Sequence, residues 1–329
     1  MKPARTVLIS NPASGHNRKA FDRLQQRLAR YPLLEQHVTG SPAEARALIR
    51  RLAGTDTQVL AINGGDGTLA CMLGLLVQHW PAERWPALIV LPGGTANMSA
   101  GDIGAAGSPR RAWRRFFRWL DRGCPLDAPA AERHIMQVEG LADGNIHYGM
   151  FLGTGAIMQA TQYAHSRVHA RGLGGEISLG LTLARTLWGL ARRDPRFYQP
   201  TRVRLSLAGS DTAAPAAREE TPMLILAAST LERLFLGIRP FWGQGDGALG
   251  LTTIRAGAAH FPRTFASILR GRPNRHASPG NGYESFRTAH FELDFDGQLN
   301  LDGELLAAGR SCGPVTVTAR GPFRFLRLT

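Results

Sequence analysis

The apolar run Val59-Leu60-Ala61-Ile62-Asn63 closes on Gly64-Gly65-Asp66-Gly67-Thr68 and passes straight into a helical pattern. A strand that must turn into a helix within five residues belongs in an α/β layer. The glycines leave backbone N–H groups free to face an anion with no Cβ in the way, and the helix start adds partial positive charge. Such a turn can cradle phosphate, although Gly-Gly-Asp-Gly also makes an ordinary tight turn. Asp66 is not expected to touch phosphate, since two anions repel. Its expected partner is a metal ion or a water, which points to a nucleotide carried with magnesium.

The same alternation extends on both sides of this turn. Strand-like Thr6 to Ser10 precedes a helix from about Arg18 to Arg30, a short strand near Gln36 to Thr39 and a helix from Pro42. That helix opens with Ser41-Pro42-Ala43-Glu44, a capping box with proline at the first helical position. After the strand Gln58 to Asn63 come a helix after Thr68, the strand Ala87 to Leu91 and a basic helix from Pro109. The spacing predicts a parallel sheet covered on both faces, in an α/β domain over residues 1–124. Ligands of such sheets sit outside the carboxyl ends of the strands. Three loops lie at that edge: Asn11-Pro12-Ala13-Ser14-Gly15, Gly64 to Thr68, and Pro92-Gly93-Gly94-Thr95-Ala96-Asn97. All three combine glycine with short hydroxyl or amide side chains, and together they point to a polyanionic ligand.

From Pro125 the texture changes to short strand-like runs: Ile135 to Val138, His147 to Leu152, Arg202 to Leu207, Met223 to Ala228, Leu249 to Ile254, Phe291 to Phe295 and Val315 to Thr318. The pattern predicts a C-terminal β-sandwich over 125–329, with helices around Ile157 to His169 and Ile177 to Arg192 and a last strand free to return to the first domain. Near the end, Asn300-Leu301-Asp302-Gly303-Glu304 places two carboxylates on a turn. Either is chemically able to act as a general base, and either can equally face water on a plain β-turn.

In order and separation, the Asn11 to Gly15, Gly64 to Thr68, Gly93 to Asn97 and Leu301 to Glu304 motifs resemble the diacylglycerol kinase catalytic-domain superfamily, which includes bacterial soluble lipid kinases and the sphingosine and ceramide kinases. The resemblance implies an N-terminal α/β nucleotide domain and a C-terminal β-sandwich, with ATP and lipid meeting in the cleft. It implies that Asn11, Ser14 and Thr39 line the nucleotide site, and that Gly64, Gly65, Asp66, Gly67, Thr68, Gly94, Thr95 and Asn97 surround the phosphates. Glu304 is the first choice for the base that takes the lipid hydroxyl proton, with Asp302 as the other. The turn Gly243-Gln244-Gly245-Asp246-Gly247-Ala248 resembles the family's second-domain magnesium site, with Asp246 and the carbonyls of Gly243 and Ala248 as ligands; a plain hairpin turn has the same residues. Three positions depart from the family pattern. Ala70 and Cys71 stand where an Asn-Glu pair is common, and Met98 where Asp is common. Gly-Gly-Asp-Gly-Thr is shared with NAD kinases, so an NAD kinase-like enzyme and a nucleotide- or anion-binding protein without turnover are the alternatives.

The 39 Lys and Arg against 25 Asp and Glu leave a net charge of +14, which favours an anionic partner. No recognised nucleic-acid module is present, so a lipid substrate at an anionic membrane surface is expected and specific nucleic acid is not. The number of subunits is open, a homodimer being one option. Three scattered cysteines, and an N-terminus with no charged-then-apolar leader, predict a cytoplasmic protein associated peripherally with membrane. Two stretches are candidates for the membrane contact. The helix Ser108 to Leu120 carries Trp113, Phe116, Phe117 and Leu120 against arginines, a stripe that an α/β domain ordinarily buries on its sheet. The region His165 to Arg204 combines Arg167, His169, Arg171, Arg185, Arg192, Arg193 and Arg196 with leucines and Trp188.

Overall fold

The computed structural model describes residues 4–15, 17–94, 97–104, 108–163, 185–207 and 219–328. The chain divides into one unit of Met1–His134 with Gly321–Thr329 and a second of Ile135–Arg320.

In the first unit the strands β1 (Thr6–Ser10), β2 (Glu35–Val38), β3 (Val59–Gly64) and β4 (Ala87–Pro92) are joined by the end of β15 (Val315–Leu326) in the order β2-β1-β3-β4-β15. Every pairing is parallel. β1, β3 and β4 are buried along their whole length, because helices cover both faces. α1 (Asn17–Leu28) and α5 (Pro109–Asp121) share a core with Leu8, Val59, Ala61 and Ile89. α2 (Pro42–Leu52) and α3 (Asp66–His79) pack together. α2 is capped by Ser41, whose Oγ accepts from the Glu44 N–H at 3.3 Å, while the Glu44 carboxylate reaches one residue past the cap and accepts from the Gly40 N–H at 2.8 Å. α3 begins at Asp66, three residues before the expected start after Thr68, so the glycine turn itself forms the first helical turn.

The aromatic stripe of α5 belongs to this core. Phe116, Phe117 and Trp119 are buried, Trp113 and Leu120 pack against them, and Arg27 covers the Phe117 ring at 4.0 Å. A membrane-interface role for this stripe is therefore ruled out. Residues 125–129 stay with the first unit as well, because the Leu126 carbonyl accepts from Arg324 and the Pro129 carbonyl from the Arg327 N–H.

The second unit is rich in strands. β7 (Phe151–Gly155), β9 (Thr221–Ser229), β10 (Leu249–Arg255), β11 (Tyr283–Thr288), β13 (Gly297–Leu301) and β14 (Glu304–Ala308) pair antiparallel in the order β14-β13-β7-β9-β10-β11. β8 (Thr201–Leu207), β12 (His290–Asp294) and the start of β15 form a second antiparallel set. β5 (Ala130–Glu139) and β6 (His147–Gly149) are a further pair. Met136, Leu152, Leu205, Leu226, Leu251, Phe291 and Val317 fill the space between these layers. β9 shows the period of two directly: Leu226 and Ala228 face this inner core, while Ile225 and Ala227 face an outer cluster. The outer cluster is covered by α6 (Ala156–Tyr163), helical residues 185–191 and α7 (Phe261–Leu269). The sequence pattern missed β11, β13, β14 and α7. The three strands are short and partly polar, and each buries only some of its side chains. The predicted helix from Ile157 runs to Tyr163, beyond which its residues lie outside those described, as do residues 177–184 of the next.

Candidate functional site

β1 lies between β2 and β3, so the chain leaves β1 and β3 in opposite directions across the sheet. A crevice opens at such a switch point, at the carboxyl ends of the strands. The loops after β1, β3 and β4 meet there.

Thr68 ties the first two loops together. Its hydroxyl accepts from the Asn11 amide at 3.0 Å and lies 3.4 Å from the Ser14 hydroxyl. Its side chain fills the space above Gly64, where a Cβ would fall 2.5 Å from the Thr68 Cβ. The backbones of the second and third loops touch directly. A Cβ on Gly94 would fall 2.5 Å from the Gly65 Cα, and the Gly93 N–H donates to the Gly64 carbonyl at 2.8 Å. Asn97, in the left-handed region at φ 47°, closes the third loop: its Oδ1 accepts from the Gly94 N–H at 2.9 Å and its Nδ2 donates to the Gly94 carbonyl at 2.7 Å. Thr95 lies outside the described residues.

The Asp66 carboxylate reaches across this contact. Oδ2 accepts from the Met98 N–H at 3.0 Å and Oδ1 from the Ser99 N–H at 2.9 Å, at the start of α4 (Met98–Ile103). Both of its oxygens thus hold backbone, and the first turn of α3 keeps the carboxylate beside its own positive end. At position 98 the backbone N–H makes the bond, so Met in place of Asp leaves this link intact.

Asp102, Arg133 and Arg327, which the motifs did not single out, brace α4, and Asn17 holds the loop after β1. The buried Asp102 accepts from Arg133 Nε at 2.5 Å, Arg327 Nε donates to the Ile103 carbonyl at 2.9 Å, and Asn17 Nδ2 donates to the Asn11 carbonyl at 2.8 Å. Asp102 and Arg133 are 31 positions apart, and no local pattern marks them as partners.

Gly65 at the N-cap of α3 has no side chain with which to cap the helix, so among the described residues its first N–H groups are left to a ligand. Beside it opens a cavity of about 160 Å3 lined by Asn11, Thr39, Ser41, Gly67, Thr68 and Cys71, among others. Thr39 is buried and its N–H donates to the Ser10 carbonyl at 3.0 Å. Cys71 therefore faces this cavity while Ala70 is buried in the core. The cradle is suited to phosphate: glycines where a Cβ would clash, hydroxyl and amide groups around an uncapped helix start. Beneath it the buried Asn63 Oδ1 has no partner among the described residues, a place for a hydroxyl or water donor.

In the second unit, the turn between β13 and β14 separates the two acids by environment. Asp302, in the left-handed region at φ 49°, accepts from the Met150 and Phe151 N–H groups, each at 2.8 Å. Its carboxylate anchors the β6–β7 connection. Glu304 is exposed and its carboxylate engages in no hydrogen bond or ion pair among the described residues. The loop with Gly243, Asp246 and Ala248 runs along β11: the Gly243 N–H donates to Ser285 Oγ at 3.0 Å, and a Cβ on Gly245 or Gly247 would strike the Arg287 or Thr288 carbonyl. Asp246 is exposed, and no cluster of three or more His, Cys, Asp or Glu suited to a metal occurs among the described residues.

Residues 5–121, the stretch that carries all three loops, match the family model of the diacylglycerol kinase catalytic domain. The first unit therefore carries a domain of the diacylglycerol kinase catalytic family. Solved structures from Bacillus anthracis str. Sterne share the fold of this chain from end to end. One, described as a diacylglycerol kinase, is 15% identical, with a TM-score of 0.62 over 99% of this chain and 97% of its own. A second, provisionally described as one, is 16% identical, with a TM-score of 0.65 over 99% and 98%. No curated protein matches the sequence.

Proposed function

We propose that the protein is an ATP-dependent lipid kinase, transferring the γ-phosphate of ATP to a hydroxyl of a lipid such as diacylglycerol or a sphingoid base, and that it works in the cytoplasm at a membrane surface. The observation that carries this reading is the convergence of three loops on the uncapped start of α3, locked by Asn11–Thr68, Gly65–Gly94 and Asp66–Met98.

In this reading the α3 N–H groups and the glycine backbone receive the phosphates, and Asn11, Ser14, Thr39 and Thr68 line the nucleotide site. Phosphoryl transfer is mostly positioning and charge neutralisation, so a cradle fixed before binding contributes directly to rate. Glu304, with no structural bond to give up, accepts the proton as the lipid oxygen bonds to phosphorus and the bond to ADP breaks. Asp302 is committed to the Met150 and Phe151 amides and serves as its scaffold. The described residues offer no preformed cage for magnesium, so the ion is expected to arrive on the nucleotide, as is usual where phosphates supply part of its shell. The Asp246 turn remains a candidate for a separate structural ion.

The engagement of both Asp66 oxygens by backbone favours, as a second reading, a nucleotide-binding protein without turnover. Incubation with γ-labelled ATP and a panel of lipid alcohols, with NAD alongside, separates the readings. A labelled lipid supports the kinase, labelled NAD the NAD kinase-like enzyme, and nucleotide binding without any labelled product the second reading.

A further inference from the structure

We infer that the turn Leu234–Ile238 and the adjoining end of α7 form a membrane-docking tip, whose occupant is the surface of an anionic lipid bilayer. The turn is closed by the Leu234 N–H donating to the Ile238 carbonyl at 2.8 Å. At its apex Leu236 takes the left-handed conformation, φ 56° and ψ 17°, and is 55% exposed. Glycine or asparagine is the ordinary occupant of such a position, because a larger side chain strains the backbone there. A leucine at this place bears a conformational cost and exposes apolar surface to water. Burial in a lipid interface would offset both.

The surroundings supply the charge complement. The Arg239 N–H donates to the Leu269 carbonyl at 3.2 Å, and a Cβ on Gly271 would fall 3.0 Å from the Arg239 Cβ, so the turn lies against the end of α7. Arg239, Arg270 and Arg272 are exposed there, and among the described residues none of the three has a carboxylate partner. Some arginines elsewhere in the second unit are held by carboxylates: Arg204 by Asp294, Arg255 by Glu284, Arg310 by Glu220. An apolar apex beside unpaired guanidinium groups matches a layer of apolar chains below anionic headgroups. Trp188, 55% exposed with Arg192 over its ring at 4.1 Å, sits in the same outer layer and repeats the pattern.

The test is co-sedimentation of the full chain with phosphatidylcholine vesicles made with and without phosphatidylglycerol. The protein is expected to bind the anionic vesicles, with salt weakening the binding. Leu236→Asn, which suits the left-handed position and so preserves folding, should weaken binding about tenfold or more, the worth of one buried leucine side chain. The triple variant Arg239→Glu, Arg270→Glu, Arg272→Glu should weaken it by at least on the order of a hundredfold, at roughly fivefold per arginine. Undiminished binding in both variants would overturn the inference, as would equal binding to neutral vesicles or variants that lose only self-association. The inference stands apart from phosphoryl transfer. Vesicle binding without any kinase activity would sink the proposed function alone, and activity of Leu236→Asn on a dispersed short-chain acceptor should match that of the parent.

Discussion

The Asn11 side-chain amide donates to the Thr68 hydroxyl at 3.0 Å, joining loops 57 positions apart. Thr68 also fills the space that a side chain at Gly64 would need, so the hydroxyl and methyl have separate tasks. Thr68→Val keeps the shape and removes the hydroxyl. It should cost about 1 kcal/mol of stability, the net value of one hydrogen bond, while weakening ATP binding at least tenfold. Thermal unfolding and nucleotide titration check the two parts; unaltered ATP affinity would show that the Asn11–Thr68 link does not shape the site.

Arg133 and Asp102 test how far the bracing of α4 matters. Asp102 is 1% exposed at its side chain and Arg133 13%, so Arg133→Met leaves a buried carboxylate without its guanidinium. A loss of about 3 kcal/mol is expected, of which the double variant Arg133→Met, Asp102→Asn should recover a large part. Denaturant unfolding of the three proteins measures this, and a double variant no better than the single one would contradict it.

The strand–turn–helix logic of the first unit was legible because each element there obeys a local rule. β1, β3 and β4 are continuous apolar runs, Ser41 and Glu44 spell out their cap, and each glycine loop sits at a strand end. The meeting of those loops followed from topology. What was not legible is long-range: nothing near Asp102 names Arg133 as its partner, and nothing near Asp66 says that its oxygens are taken by the Met98 and Ser99 amides. Asp302 and Glu304 look alike in sequence and differ only through the backbone that faces them. The short strands β11, β13 and β14 were missed because pairing with neighbours, not their own apolar period, holds them in place.

That difference yields a paired prediction. Asp302→Asn replaces an acceptor for two amides with a group that presents a donor to one of them, and should lower stability by about 1–3 kcal/mol. Glu304→Gln disturbs no bond and should melt as the parent does while phosphoryl transfer falls by about 10²-fold or more. Parent-like turnover in Glu304→Gln would move the base elsewhere.

Alkaline unfolding should report on Tyr283. It is fully buried and donates to the Ala259 carbonyl at 2.7 Å, and burial pushes its pKa up from 10.0 to about 12. The folded pKa is raised, so the stabilisation is complete below pH 10, where the tyrosine is neutral in both states. It is lost as pH rises from 10 to about 12, because the unfolded chain releases the proton first. The loss should reach roughly 2–3 kcal/mol, on the order of 1.4 kcal/mol for each pKa unit. Tyr283→Phe should flatten this dependence, even though it lowers stability at neutral pH; an unchanged slope between pH 10 and 12 would refute the assignment.

The most direct measurement of the central claim is transfer of label from γ-labelled ATP to lipid by the purified chain, with Asp66→Ala run beside it. The account predicts a labelled lipid phosphate with the parent, and a folded Asp66→Ala protein in which labelling is lost because the Met98 and Ser99 amides are released and the cradle loosens. Full lipid labelling by Asp66→Ala, or none by the parent across lipid alcohols, would contradict it.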